Sequence, residues 1–144
     1  MKIIAATLVT TLAATIASVQ GIPGLPTPAR SVSGQFAVFP PAVTPPRVVP
    51  RTGGPTNFIT LEPTLVAISA ERVRQAVWRE LGHNGQWEGK ISIVLRRARG
   101  GDETTDILSD RSMGGWSYRV SMPDEISRER YLRALVHVVL LELA

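Results

Sequence analysis

The chain has 144 residues, with 16 Lys and Arg against 12 Asp and Glu, a formal net charge of +4, and no cysteine. That length supports one domain with a modest core and not two, and the missing cysteine excludes disulfides, thiol nucleophiles and thioether lipid anchors. Acids are interleaved with the arginines and the aromatics are scattered, whereas a base-stacking platform needs clustered aromatics beside its cations, so nucleic acid is not an expected partner.

At the N-terminus, Met1-Lys2 forms a short positive region, Ile3 to Ile16 is an uncharged apolar run, and small residues follow at Ala17, Ser18 and Gly21. That order is the pattern of a secretory signal peptide, assigned to residues 1–21. A spanning helix wants about 20 predominantly apolar residues. Here the uncharged stretch reaches Ala29 only by including Gly, Gln and three prolines, so a membrane is expected only during export. The compartment implied is secreted or periplasmic, in the cell envelope.

Residues 22–56 form a proline-rich segment. All but Pro63 and Pro123 of the 11 prolines lie between Ile22 and Pro55, a spacing that favours extended chain and excludes helix. It reads as a stiff linker or loop in preference to a PxxP docking ligand. One island interrupts it: Gln35-Phe36-Ala37-Val38-Phe39, with Phe36 and Val38 on one face, predicts a short edge strand ended by Pro40-Pro41.

From residue 57 the pattern is that of an α+β domain. Asn57–Leu61 predicts a strand. Glu62-Pro63 opens a helix over Thr64–Leu81, with Ser69 as an alternative start. Val66, Val73, Ala76, Val77 and Leu81 fall on one side of it, and Gly82 stands at its C′ position. Lys90–Ala98 alternates cleanly, with Ile91, Ile93 and Leu95 on one face. Gly100-Gly101-Asp102 reads as a hairpin turn, returning through Thr104–Ser109. Trp116, Tyr118, Val120 and Met122 mark another half-buried strand. Asp124 is the expected N-cap of the last helix, Glu125 favours its dipole, and Glu129 and Arg133 form an i, i+4 pair.

The expected fold is therefore α+β, a small mixed or antiparallel, mostly hairpin-connected sheet packed against two helices. The stretch from Leu135 to Ala144 is apolar on nearly every side of a helical wheel and lacks a C-cap signal. It predicts a last helix buried all round and truncated, in a domain (57–144) incomplete at its C-terminus.

This element order, closing on a helix of the form apolar-apolar-Glu-apolar-apolar, resembles the N-terminal lobe of gluzincin-type, peptidase MA-like metallopeptidases, over Gln35 to Ala144. In that family a helix and small sheet precede the active-site helix bearing H-E-x-x-H. The stretch WSYRVSMPDEISRERYLRALVHVVLLELA is similar to secreted bacterial proteins of unassigned function that carry a degenerate version of the lobe. The resemblance implies a peptidase-like scaffold and, in intact members, zinc.

The residues do not complete that motif. Zinc needs two imidazoles one helical turn apart, with a carboxylate beside the first. Starting at His137 the chain reads His-Val-Val-Leu-Leu. Placing Glu142 as the base puts Leu141 at the first ligand position and the second beyond Ala144. His137 is the candidate metal ligand and Glu142 the candidate catalytic base, but the preferred readings are a neutral core histidine bonded to a backbone carbonyl and a solvated carboxylate. His83 is expected in solvent. Asp102, Glu103, Asp106 and Asp110 lack the closing Glu and central Gly of a calcium loop. With Arg96, Arg97, Arg99 and Arg111 they read as a salt-bridged hairpin. G-x-S-x-G does not occur, and the glycine pairs are too short to cradle phosphate. Trp78, Trp87 and Trp116 are expected in the core or at its rim.

No catalytic set and no cofactor are expected. The reading is an exported non-catalytic interaction or structural module, engaging a protein partner or a second copy through the 135–144 helix. The alternative is the N-terminal part of a metal-dependent peptidase whose ligands lie beyond residue 144. N-terminal sequencing of protein from the producing cell should begin after Ala17 or Gly21; a retained Met1 in the cytosol would end the export assignment.

Overall fold

The computed structural model describes residues 27–42, 57–84, 89–100, 103–112 and 115–143. The stretch 1–21 expected to be a signal peptide, Trp87, Asp102 and most of the proline-rich stretch lie outside them. In chain order the elements are β1 (Ala29–Arg30), β2 (Phe36–Phe39), β3 (Phe58–Thr60), α1 (Pro63–Glu80), β4 (Lys90–Arg96), β5 (Asp106–Ser112), β6 (Gly115–Pro123), β7 (Glu125–Ser127) and α2 (Arg128–Leu143). The fold is α+β: a five-stranded mixed sheet of order β1-β2-β4-β6-β5, a two-stranded sheet β3-β7, and two helices.

Three central strands run parallel. β2 pairs with β4 and β4 with β6 in parallel register, so Val38, Ile93 and Val120 stand in one row, and all three are fully buried. Antiparallel β1 and β5 close the two edges. Strand side chains alternate between faces. The face bearing Phe36, Val38, Ile91, Ile93, Leu95, Tyr118, Val120 and Met122 forms the core with Val66, Ala67 and Ala70 of α1 and Tyr131, Ala134, Leu135, Val138 and Val139 of α2. Burying each large side chain in it contributes roughly 1.5–3 kcal/mol.

Several sequence expectations are corrected. β2 is not an edge strand, because the two-residue β1 flanks it and β4 pairs on its other side. β4 and β5 do not form a hairpin; β5 pairs with β6, from Asp106↔Ser121 to Ser112↔Gly115. The chain leaves β4, skips one strand position and returns antiparallel at the edge. Local turn chemistry at Gly100-Gly101 marked a break, and burial of a β-branched row decided the partner. β3 belongs to the small sheet, paired with β7.

α1 begins at Pro63 as expected, after extended Glu62, and ends in a Schellman motif. Gly82 (φ +63°) donates to Arg79 O at 3.2 Å and His83 N–H to Trp78 O at 2.9 Å, with the His83 and Trp78 rings meeting edge-on at 4.9 Å. Ala76 and Leu81 are exposed, since the buried stripe runs through Val66 and Ala70 to Val73 and Val77. Ser69 is inside the helix, where its hydroxyl bonds the Tyr131 hydroxyl of α2.

α2 starts four residues after Asp124, at Arg128, and Ser127 Oγ accepts from Arg130 N–H at 3.3 Å in the capping role. Asp124 is instead a buried corner post. Its Oδ1 accepts from Ala98 N–H at 2.7 Å, its Oδ2 lies 3.3 Å from Arg97, its N–H donates to Arg96 O, and its C=O accepts from Leu61 N–H. Asp124→Ala leaves the Ala98 N–H without its acceptor and should cost about 1–3 kcal/mol in denaturant unfolding. Arg97→Ala should cost under about 1 kcal/mol, because that arginine is largely in solvent.

Candidate functional site

A core helix of a two-layer domain ordinarily buries one stripe and turns polar residues outward. α2 departs from this. Its core stripe is Tyr131, Leu135, Val138 and Val139, yet Leu132 and Leu140 on the adjoining flank are 39% and 42% exposed, with half-buried Val136 between them. Residues four apart stack into one row, so Leu132, Val136 and Leu140 form an apolar ridge along the outside. Glu129, Arg133 and His137 run beside it, and together these six line a shallow hollow of about 470 Å³. Glu129 and Arg133 form the expected ion pair at 2.6 Å. The last helix is therefore buried along one face and open along the other, not buried all round.

His137 is exposed, so the expectation of a core imidazole is corrected. It sits at the margin of the apolar ridge. Glu142 is half-buried, not solvated: its Oε1 accepts from Gly89 N–H at 3.1 Å. A Cβ at residue 89 would lie 2.5 Å from that oxygen, so a glycine permits the close approach. The Tyr118 hydroxyl donates to Leu141 O at 3.0 Å, which joins the end of α2 to β6 as Glu142 joins it to the start of β4. Five residues separate His137 from Glu142, about 140° of helical rotation, and the structure gives them different surroundings.

These residues do not fit zinc. With His137 as first ligand, the base position is the buried Val138 and the second ligand position is Leu141. The Glu142 carboxylate is already committed to a backbone donor. Among the described residues, no group of three or more His, Asp or Glu could hold a metal ion.

The acidic and basic residues between β4 and β6 are likewise accounted for. Glu103 accepts from the Arg99 and Gly100 N–H groups, and the first of these bonds holds its carboxyl below the usual range. Arg96 lies 3.5 Å from Asp106 and donates to Thr104 O. Trp78 is half-buried at the core rim with Arg74 over its ring. Trp116 is 45% exposed, at the rim and not in the core, stacked against Tyr118 and with Arg111 over its ring. His83 is exposed as expected.

No family model matches the chain, and comparison with curated proteins and with solved structures yields no significant match.

The sequence pointed to the apolar run 135–144, and the exposed ridge begins a turn earlier, at Leu132. Two adjacent apolar stripes at i, i+4 spacing along one helix were the signal. The Gly89–Glu142 contact had none, since its partners are far apart in sequence.

Both tyrosines of the chain serve this helix. Burial pushes the Tyr118 phenol above its ordinary value of 10.0 and the Glu142 charge adds to the shift; burial also raises Tyr131, opposed by its bond to Ser69. A phenol raised in the folded state contributes stability that is full below the unfolded value and lost as pH rises through the folded one. Tyrosinate absorbance should therefore be less than half-developed at pH 10, and unfolding should become easier only above it. Glu142→Gln should lower the Tyr118 step and leave Tyr131 in place. Half-ionisation of both phenols at pH 10 would contradict this packing.

Proposed function

We propose that the protein is an exported, non-catalytic interaction module on a metallopeptidase-like lobe, which pairs with a second copy of itself through the outward face of α2. The ridge Leu132-Val136-Leu140, about 100° round the helix from the core residues Tyr131, Leu135 and Val139, carries this reading. It is symmetric about Val136. A two-fold axis through Val136 with antiparallel helices sets Leu132 against the partner's Leu140, the self-complementary arrangement an isologous contact requires. Ridges of i, i+4 residues interdigitate readily in helix pairs. The Glu129–Arg133 pair then lies at the rim, where charges keep their water.

The incomplete zinc motif supports the non-catalytic half of the reading. In the family that the element order resembles, the corresponding helix carries two imidazoles and a carboxylate. Here Val138 and Leu141 hold two of those positions; neither side chain can ligate a metal or accept a proton, and Val138 packs in the core.

Sedimentation velocity across a concentration series should show a reversible dimer. Leu140→Glu forces a carboxylate into the contact and should weaken pairing at least about 100-fold, with the thermal midpoint unchanged because Leu140 is outside the core. A strict monomer, or a dimer indifferent to both Leu140→Glu and Val136→Asp, would rule the reading out. Stoichiometric zinc with peptide hydrolysis would favour the alternative, a metal-dependent peptidase with ligands beyond residue 144.

A further inference from the structure

Both helices lie on one face of the five-stranded sheet. Register and alternation define the other face: Ala37 and Phe39 from β2, Lys90, Ser92, Val94 and Arg96 from β4, Ser117, Arg119 and Ser121 from β6, and Asp106, Leu108 and Asp110 from β5. Parallel strands are ordinarily covered on both faces. On this face Phe39, Ser92 and Val94 are only half-buried, and with Arg119 they line an open hollow of about 260 Å³.

The hollow has two chemistries side by side. Phe39 and Val94 supply an apolar floor. Arg119 stands directly across from Ser92 on β4 and Leu108 on β5, and makes no ion pair among the described residues. Arg96 is committed to Asp106, which removes one of the two β5 carboxylates from competition. Lys90 extends the positive field along β4, so an uncommitted cation pair borders the apolar floor.

We propose that this outer sheet face is a docking surface for an acidic, amphipathic segment of another protein, its apolar residues on Phe39 and Val94 and a carboxylate on Arg119. Charge complementarity selects that occupant. A second copy laid face to face on a two-fold axis through the hollow would oppose Arg119 to its equivalent, so this contact is distinct from the α2 pairing. A nucleic acid would find one aromatic ring on this face, Phe39, where base stacking needs several. An arginine fork binds a carboxylate through two parallel N–H donors, which fixes the register that a flat sheet face alone leaves open.

The test uses the whole protein with three probes: a fluorescent alternating Leu-Glu dodecapeptide, its Leu-Lys counterpart, and phosphatidylglycerol vesicles. The Leu-Glu peptide should bind and shift the amide resonances of Phe39, Ser92, Val94 and Arg119. Arg119→Glu and Val94→Asp should each weaken it at least tenfold, and Arg119→Gln by a smaller factor, with unchanged melting curves establishing that the variants fold. Equal binding of the Leu-Lys peptide, shifts confined to α2, Arg119-dependent capture by vesicles in place of peptide, or affinity untouched by variants that fold would each overturn the proposal.

Discussion

The carboxylate of Asp124 is the constraint on which the rest of the arrangement depends. It sits where β6 ends and β7 begins, almost out of solvent, and holds the strand end of β4 through Ala98 while its own backbone bonds Arg96 and Leu61. Three segments distant in sequence are thereby fixed to one residue: the exit of β4, the corner between the two sheets, and the approach to α1. A buried charge is tolerated only when hydrogen-bonded and paired, and here a backbone donor and the Arg97 guanidinium meet that condition. Because β7 follows immediately, this corner sets the direction in which α2 departs, and so the angle at which α2 covers the sheet.

From that corner α2 runs back to the opposite ends of the strands. Its last turn is tied by Tyr118 to Leu141 O and by Glu142 to Gly89 N–H. A helix fastened at both ends to the same sheet has no freedom to roll. Its core stripe is chosen for it, and whatever apolar residues remain must face outward. The chain carries more apolar residues in α2 than one sheet face can accept, and Leu132, Val136 and Leu140 are the remainder.

The sequence made the regular parts of this fold legible. Alternation over Ile91, Ile93 and Leu95 located the central strand, Pro63 and Gly82 bracketed α1, and Glu129–Arg133 marked an exposed helix flank. What stayed hidden was decided between distant segments. Pro123-Asp124-Glu125 has the composition of a helix start, but the Asp124 side chain is taken by Ala98, so the chain continues as strand and Ser127 takes over the cap. Gly100-Gly101-Asp102 has the composition of a hairpin turn, yet strand pairing follows the row Val38–Ile93–Val120, which only a parallel neighbour completes. The same limit applied to the candidate site: His137 looked buried because its neighbours are apolar, although it lies on the side of the helix turned away from the core.

The two open surfaces stand on opposite sides of a two-layer structure. The α2 ridge is outside the helical layer and the Arg119 hollow is outside the sheet. A ligand on one cannot obstruct the other, and neither calls on the core. Their chemistries also differ: the ridge is apolar and self-complementary, while the hollow joins an apolar floor to uncommitted cations. In a small domain whose core is a single interface between helices and sheet, function that needs contact area has to be built on these outer faces. On the two proposals above, Asp124 and the fastened end of α2 would keep the spacing between the two surfaces fixed.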